Sequence, residues 1–243
     1  SSYSIWVQAK DEHNATVEGS FMVTLTDDPT DNPVDLTNGL VAWYPFDGNA
    51  SDMSGNGRHA SIRNGHSYLI TESGKAIRLN GTSNYTGTAG GHVILPHIPI
   101  DGSGSFTVSI SVFEENISHR QYGETYVSFA MYGSRTAPLQ IGHEYHKVRI
   151  GSVQTNLTLS DVRNKWKKYV LTNENGLSVA YVDGIAVGQN ANSSYSVHSN
   201  YSAIGRHWWD HSATGTSTRF TGGIDEVRIY DRALSANEVQ ALY

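Results

Sequence analysis

Apolar and polar residues alternate with a period of two along most of the chain, which is typical of β-strands with one buried face. The pattern predicts two strands near the start, at residues 3–9 and 19–26, with a turn at 11–14 between them. Two prolines and three aspartates then occur within residues 27–33. Such a polar, proline-containing stretch indicates a linker, and a long run of strands follows it.

Local turn signals define part of this run. Asn175-Gly176 and Asp183-Gly184 each lie between β-rich segments. Both pairs suit type I′ turns, which require a positive φ at two successive residues. They predict a meander of three strands. The full set of predicted strands beyond the linker is 40–45, 76–79, 105–113, 126–132, 139–143, 147–153, 168–171, 178–182, 185–187, 202–204 and 224–230.

One helix is predicted, at the end of the chain. Ser235 and Glu238 have the spacing of a capping box, and Leu234 and Val239 have that of a hydrophobic staple. The remaining pattern predicts an all-β fold, a two-sheet antiparallel sandwich with Greek-key or jelly-roll connections and this one short C-terminal helix.

The amino-acid composition excludes several classes of function and partner. The 243 residues carry a net charge of −6, and no basic patch is evident, so we expect no nucleic-acid partner. Charged residues make up only 16% of the chain, against about 25% in an average soluble domain. This polar but weakly charged surface favours an extracellular, secreted or cell-surface β-protein. The chain has no Cys, which excludes disulfides and Cys-ligated metals. No apolar stretch is long enough to predict insertion into a membrane.

Several motifs follow one another in an order that resembles a known family. The motifs are GLVAWYPFDGNA at 39–50, DMSGNG at 52–57, SFTVS at 105–109, YVDG at 181–184, FTGGIDEVRIY at 220–230, RALS at 232–235 and ALY at 241–243. Together they resemble the laminin G-like, concanavalin A-like jelly-roll domains of bacterial secreted multidomain proteins. The resemblance covers residues 39–243. One position departs from it, because Ser111 stands where many members have Trp.

Residues 1–28 resemble a different family. The segments VQAKD at 7–11 and FMVTLTD at 21–27 are similar to the last two strands of a cadherin-like repeat. Two strands alone cannot bury a sandwich core. We therefore predict three parts: the end of a cadherin-like repeat at 1–28, a linker at 29–38 and the jelly-roll domain at 39–243. The alternative is a hairpin that belongs to the main domain.

A calcium site is predicted in the loop after the first jelly-roll strand. Asp47, Asn49 and Asp52 offer oxygen ligands in a glycine-containing loop, and Ca²⁺ prefers several oxygens. The family resemblance implies a structural calcium where the first and last strands meet, which adds Asp225 as a matching ligand. The alternative is that these residues only form turns. The ion would contribute to stability and not to chemistry.

A carbohydrate site is predicted from loops rich in aromatic residues and histidine. Sugars bind flat aromatic faces together with planar polar groups that pair with hydroxyls. Of the adjacent pair Trp208 and Trp209, one ring should lie in the core. His143 and His146, with His207 or His211, also leave a zinc site open as an alternative. The predicted carbohydrate-binding residues are His119, Tyr122, His143, Tyr145, His146, Arg206, His207, Trp209 and His211.

Catalysis is not expected. A retaining glucanase of this fold needs two facing carboxylates; no Glu-X-Asp-X-Glu triplet occurs, and the side chains of Glu114 and Glu115 diverge on a strand. We predict a non-catalytic, lectin-like, calcium-stabilised module whose partners are a glycan or another cell-surface ligand and neighbouring domains of its own chain. The alternatives are a structural spacer or adhesion domain that binds protein or nothing, and a polysaccharide lyase or hydrolase.

Overall fold

The computed structural model describes residues 2–24, 34–81, 90–100, 104–115, 124–129, 137–144, 147–191, 193–196, 202–206 and 220–243. Contacts divide the chain into two units, Ser1–Val34 and Asp35–Tyr243. The division falls inside the predicted linker at 29–38.

The first unit is an antiparallel hairpin of β1 (Ser2–Lys10) and β2 (Thr16–Thr24). Ile5 lies opposite Phe21, and Ala9 lies opposite Val17, so one face of the hairpin is apolar. These side chains are solvent-exposed, with 53% exposure for Phe21 and 69% for Val17. A face of this kind is typical of a strand pair that packs against further strands. Its assignment to a cadherin-like repeat stays a prediction.

The second unit is built from two large antiparallel sheets. Its strands are β3 (Leu40–Tyr44), β4 (Ser61–Arg63), β5 (His66–Thr71), β6 (Gly74–Leu79), β7 (His92–Ile94), β8 (Phe106–Glu114), β9 (Thr125–Ser128), β10 (Ala137–Pro138), β11 (Gln140–Glu144), β12 (Lys147–Ile150), β13 (Val153–Thr158), β14 (Trp166–Glu174), β15 (Leu177–Val182), β16 (Ile185–Asn190), β17 (Tyr195–Ser196), β18 (Ala203–Ile204) and β19 (Gly222–Tyr230). The described residues of this unit also form the helices α1 (Leu159–Val162) and α2 (Ala236–Leu242).

The strand orders confirm the predicted sandwich. One sheet has seven strands in the order β13-β12-β11-β9-β18-β7-β4. The other has eight strands. Seven follow the order β16-β15-β14-β8-β19-β6-β5, and the eighth, β3, pairs with β19. β10 and β17 form a short parallel pair. Buried side chains of both large sheets, such as Ile110 on β8 and Ile141 on β11, form one hydrophobic core between them.

The turn signals are confirmed. β14, β15 and β16 form the predicted meander, and Asn175 and Asp183 each adopt a positive φ before a glycine that does the same. The predicted strand at 147–153 is instead two strands, β12 and β13. Gly151 has a φ of +58° and turns the chain between them.

The C-terminal helix is also confirmed. Ser235 Oγ accepts from Glu238 N at 3.3 Å, while Glu238 Oε2 accepts from Ser235 N at 2.7 Å. Leu234 and Val239 are buried together against Tyr230, so α2 covers part of the outer face of the eight-stranded sheet. The structure adds the one-turn helix α1 to the single helix that was expected.

Candidate functional site

The residues that flank three segments of the chain lie at one end of the sandwich, which we call the rim. The segments 116–123, 145–146 and 207–219 lie outside the described residues, but the residues that flank them are described. Glu115 N donates to Thr221 O at 3.0 Å, and His143 N donates to Glu124 O at 2.9 Å. The rings of Tyr126 and Phe220 are 5.4 Å apart. The strands therefore deliver all three segments to the same end of the molecule.

A buried polar cluster lies beneath the rim, between the two sheets. Glu114, on β8, is 2% exposed. Its Oε1 accepts from Arg163 Nε at 2.8 Å, and its Oε2 accepts from Tyr126 Oη at 2.6 Å. His143, on the opposite sheet, places Nε2 3.5 Å from Glu114 Oε1. Burial by itself raises the pKa of Glu114, but His143, Tyr126 and Arg163 together hold that pKa below its usual value.

An aromatic pair lies on the outer face of the eight-stranded sheet at the same end. Trp166 on β14 pairs with Phe113 on β8, and their ring centroids are 5.7 Å apart. Trp166 is 39% exposed. Gly223 on the neighbouring strand leaves room for the indole, because a Cβ there would lie 2.8 Å from Trp166 Cη2. The exposed part of the indole therefore offers an apolar surface to solvent.

Planar polar groups lie next along this face. Arg78 is the partner of Gly223 across the sheet, and Gly223 is the partner of Phe113. Arg78 Nη2 donates to Glu115 Oε2 at 2.7 Å. The guanidinium and the carboxylate are both partly exposed, at 28% and 26% of their side-chain surfaces. An aromatic surface beside such groups has the composition of a sugar-binding site.

The structure describes two residues of the predicted carbohydrate site, Arg206 and His143. His119, Tyr122, Tyr145, His146, His207, Trp209 and His211 lie outside the described residues. Arg206 is half-buried at the rim, where the segment 207–219 begins. His143 is only 5% exposed and belongs to the buried cluster. A direct contact between His143 and a sugar stays a prediction.

Two of the predicted calcium ligands organise their own loop. Asp52 Oδ1 accepts from Trp43 N and Ser54 N, and Oδ2 accepts from Arg58 N, all at 2.9 Å. Burial by itself raises the pKa of Asp52, but these hydrogen bonds lower it below its usual value. Asn49 Oδ1 accepts from Ser51 N at 2.8 Å, which is an Asx turn.

The other two predicted ligands, Asp47 and Asp225, lie close enough to interact electrostatically. Asp225 is 7% exposed, on the outer face of β19. Burial, the adjacent Glu226 and then Asp47 raise the pKa of Asp225 to about 7. Asp47 Oδ1 accepts from Lys75 N at 2.7 Å. These two carboxylates fit part of a site for a hard cation, which would lower the repulsion between them.

Sequence reasoning did not identify the aromatic pair or Glu124. Among the described residues, Glu114, Glu124 and His143 are the one group of three acidic or histidine side chains whose ligand atoms lie within 4.8 Å of one another.

In the described part of the chain, no helix is sufficiently long and apolar to cross a bilayer.

Comparisons with solved structures show the same fold. Domain 4 of AbnA, a GH43 extracellular arabinanase from Geobacillus stearothermophilus, solved with arabinotriose, is similar with a TM-score of 0.62 and 24% identity. The match covers 84% of this chain and 97% of that one. The binding domain of Paraclostridial Mosquitocidal Protein 1 gives a TM-score of 0.61 at 19% identity, over 85% of this chain and 52% of that chain.

An enzyme is also among the similar structures. Trypanosoma rangeli sialidase matches with a TM-score of 0.57 and 16% identity, over 84% of this chain and 32% of that chain. This chain thus spans about half of the mosquitocidal binding domain and about a third of the sialidase. At these identities the likeness is one of fold.

The sequence itself matches a family. No curated protein matches the chain. A laminin G family model, described as the concanavalin A-like lectin/glucanases superfamily, matches residues 86–240, which is more than half of the chain. This match agrees with the two-sheet sandwich and with the resemblance carried by the motifs at 105–109, 181–184 and 220–230. The chain belongs to the concanavalin A-like lectin/glucanases superfamily.

Proposed function

We propose that residues 35–243 form a non-catalytic carbohydrate-binding module of a secreted or cell-surface protein. The observation that carries this proposal is the partly exposed indole of Trp166, which packs against Phe113 at the rim. The arabinanase domain, similar over nearly its whole length, was solved with an oligosaccharide. The neutral polar composition of the chain also suits an extracellular location.

The surface around Trp166 fits a sugar ring. The apolar C–H face of a pyranose or furanose ring packs on an aromatic face, while its hydroxyls need hydrogen-bonding partners. Arg78 lies on β6, three strands from Trp166, and presents such partners together with Glu115. The segments 116–123, 145–146 and 207–219 start at the same rim and contain His119, Tyr122, Trp209 and other aromatic or histidine residues. We infer that they complete the site.

A non-catalytic role is supported by the positions of Glu114 and Glu115, and Glu124, which lies near Glu114, is buried together with it. Glu115 is paired with Arg78 on the outer surface, while Glu114 points into the interior, where Tyr126 and Arg163 occupy its oxygens. The two acids therefore lie on opposite sides of one sheet. Glycoside hydrolysis needs two carboxyl groups that face each other across the scissile bond.

We also propose a stabilising calcium ion at Asp47 and Asp225. Burial, and then repulsion from Glu226 and Asp47, raise the pKa of Asp225, and a divalent cation would offset that repulsion. Asn49 and Asp52 would shape the loop that holds Asp47, since their oxygens accept backbone N–H groups. The remaining ligands would be carbonyl oxygens and water, which Ca²⁺ commonly takes.

Tryptophan fluorescence and calorimetry test the carbohydrate proposal. A glycan array first identifies a ligand, with arabino-oligosaccharides included. Loss of one aromatic side chain that stacks on a nucleobase costs about 1–3 kcal/mol, and we expect a similar loss for a sugar ring that packs on an indole. Trp166→Ala should therefore weaken binding about 5–150-fold. The matched control is Trp6→Ala, because Trp6 is 70% exposed in the other unit and should leave affinity unchanged.

The outcomes separate the alternatives. Binding that survives Trp166→Ala would place the site elsewhere on the module. A folded protein that binds no glycan on the array would contradict the proposal and favour a spacer or a protein-binding domain.

A further inference from the structure

The buried cluster beneath the rim contains a histidine whose ring makes no hydrogen bond within the described part of the chain. His143 is 5% exposed, and neither Nδ1 nor Nε2 makes a hydrogen bond with a described residue. Burying a polar group without a partner costs free energy, typically about 1–3 kcal/mol in proteins. A ligand bound to the imidazole would offset this cost.

We propose that Glu114, Glu124 and His143 bind a divalent zinc ion. One ligand atom from each of the three residues lies within 4.8 Å of the other two, and all three residues are buried. Glu114 comes from the eight-stranded sheet, His143 from the seven-stranded sheet, and Glu124 directly precedes β9. The three ligands thus converge from both halves of the sandwich.

The distance between the ligand atoms suits a metal better than a hydrogen bond. His143 Nε2 and Glu114 Oε1 are 3.5 Å apart, whereas an N–H···O hydrogen bond is about 2.9 Å long. Two atoms bound to one tetrahedral zinc at about 2.0–2.1 Å lie about 3.3–3.4 Å apart. A small shift of either side chain would therefore bring both atoms to bonding distance from one ion.

The surroundings of Glu114 resemble the outer shell of a metal site. Each carboxylate oxygen has two acceptor positions, and Arg163 and Tyr126 use one position on each oxygen. They hold the carboxylate in place and leave a free position on the oxygen that faces His143. Hydrogen bonds of this type orient metal ligands and raise metal affinity.

Ligand type favours zinc over calcium. Glu114 and Glu124 bring two carboxylates to the cluster, and His143 brings an imidazole. Imidazole is a common ligand of Zn²⁺, whereas Ca²⁺ takes six to eight oxygens. This donor set is also different from a set built on His143 and His146, since it uses the carboxylates that flank the segment 116–123.

The site would link the core to the recognition surface. Glu114 and Glu124 stand on either side of the segment 116–123, and His143 precedes the segment 145–146 by one residue. An ion held by all three would connect the described residues that flank these two segments. Bound zinc should therefore stabilise the sandwich and the loop ends together.

The test measures metal uptake by the full chain after removal of all metal with a chelator. Zn²⁺ alone and Ca²⁺ alone are each added, and retained metal is measured after dialysis by mass spectrometry. We expect the wild type to retain one zinc per chain. At zinc concentrations of about 100 times the dissociation constant, its melting temperature should rise by about 5–10 °C.

Two variants make the result specific. His143→Gln should abolish zinc retention and the thermal shift. His92→Gln is the matched control, because His92 is equally buried at 5% in the same sheet and its Nδ1 already lies 3.1 Å from Gly90 O. It should keep both effects. If His143→Gln does not fold, Glu124→Gln replaces it, with circular dichroism as the check of folding.

Several results would overturn the proposal. A wild type that retains no zinc would show that the cluster does not hold a metal ion. Equal zinc retention by the wild type and a folded His143→Gln or Glu124→Gln variant would place the ion elsewhere. Stronger retention of calcium than of zinc, lost in the same variants, would show that the ligand set was misjudged.

Discussion

The ion pair between Arg232 and Glu238 gives a sharp test of how α2 is attached to the sheet. Arg232 Nη1 donates to Glu238 Oε2 at 3.0 Å, and Nη2 donates to Oε1 at 2.5 Å. Arg232 Nε also donates to Asn38 O at 2.9 Å. Arg232 therefore connects Glu238, in the first turn of α2, to Asn38, which lies just before β3.

The substitution Glu238→Gln separates charge from capping. Glutamine can still accept from Ser235 N and so preserve the capping box, but it loses the charge that pairs with Arg232. The hydrogen bonds from Arg232, and then those from Ser235, lower the pKa of Glu238 from 4.5 to about 2, against an opposing effect of burial. At about 1.4 kcal/mol per pKa unit, this lowering of the pKa corresponds to a stabilisation of the folded state by roughly 3 kcal/mol.

Solvent reduces this value. Both side chains are partly exposed, at 26% for Arg232 and 19% for Glu238, and ion pairs at surfaces contribute about 0–1 kcal/mol. We therefore expect about 1 kcal/mol, which corresponds to about 2–4 °C in melting temperature for a domain of this size.

The contribution of Glu238 to stability should depend on pH in a defined direction. The pKa of Glu238 is lower in the folded chain than in the unfolded chain, so its stabilising effect is present above about pH 4.5 and is lost as the pH falls towards 2. Thermal melts between pH 7 and pH 2 should show a deficit for Glu238→Gln that disappears in acid. Glu72→Gln, in an exposed turn, is the control and should match the wild type. A deficit that is the same at every pH would refute the electrostatic reasoning.

Further outcomes concern the backbone and the proposed calcium ion. Gly222→Ala should lower the free energy of unfolding by about 3 kcal/mol, because its Cβ would lie 2.0 Å from Phe113 O at a φ of +152°. The control Gly55→Ala, with a φ of +87° and open space around its Cβ, should lower it by about 1 kcal/mol. Urea denaturation measures both values, and equal costs would contradict the steric argument. Adding Ca²⁺ to chelated protein at pH 8 should raise the melting temperature of the wild type but not of Asp225→Asn, and an equal response in both would exclude Asp225 as a ligand.

The fold was predictable because its signals are local. A period of two marks strands, and Asn175-Gly176 and Asp183-Gly184 define two turns without reference to the rest of the chain. The capping box at Ser235 is equally local. The helix α1 was missed, although Thr158 and Asp161 have the same spacing and Thr158 N donates to Asp161 Oδ2 at 2.7 Å.

The site was harder to predict because it depends on pairing between distant segments. Trp166 meets Phe113 only because β14 pairs with β8. Glu114 and His143 come together because their two sheets pack face to face. A sequence alone gives the residue types but not these neighbours. Composition therefore drew attention to clusters of aromatic residues and histidines, while the aromatic pair on the sheet remained hidden.

An NMR titration with an oligosaccharide identified on the array tests the central proposal most directly, because it observes binding and chemistry in one sample. The Nε1–H signal of Trp166, assigned through Trp166→Phe, should shift saturably with added ligand, while the ligand's own spectrum stays unchanged over a day. Shortened oligosaccharide products, or an indole signal that does not move while the ligand binds, would contradict the account.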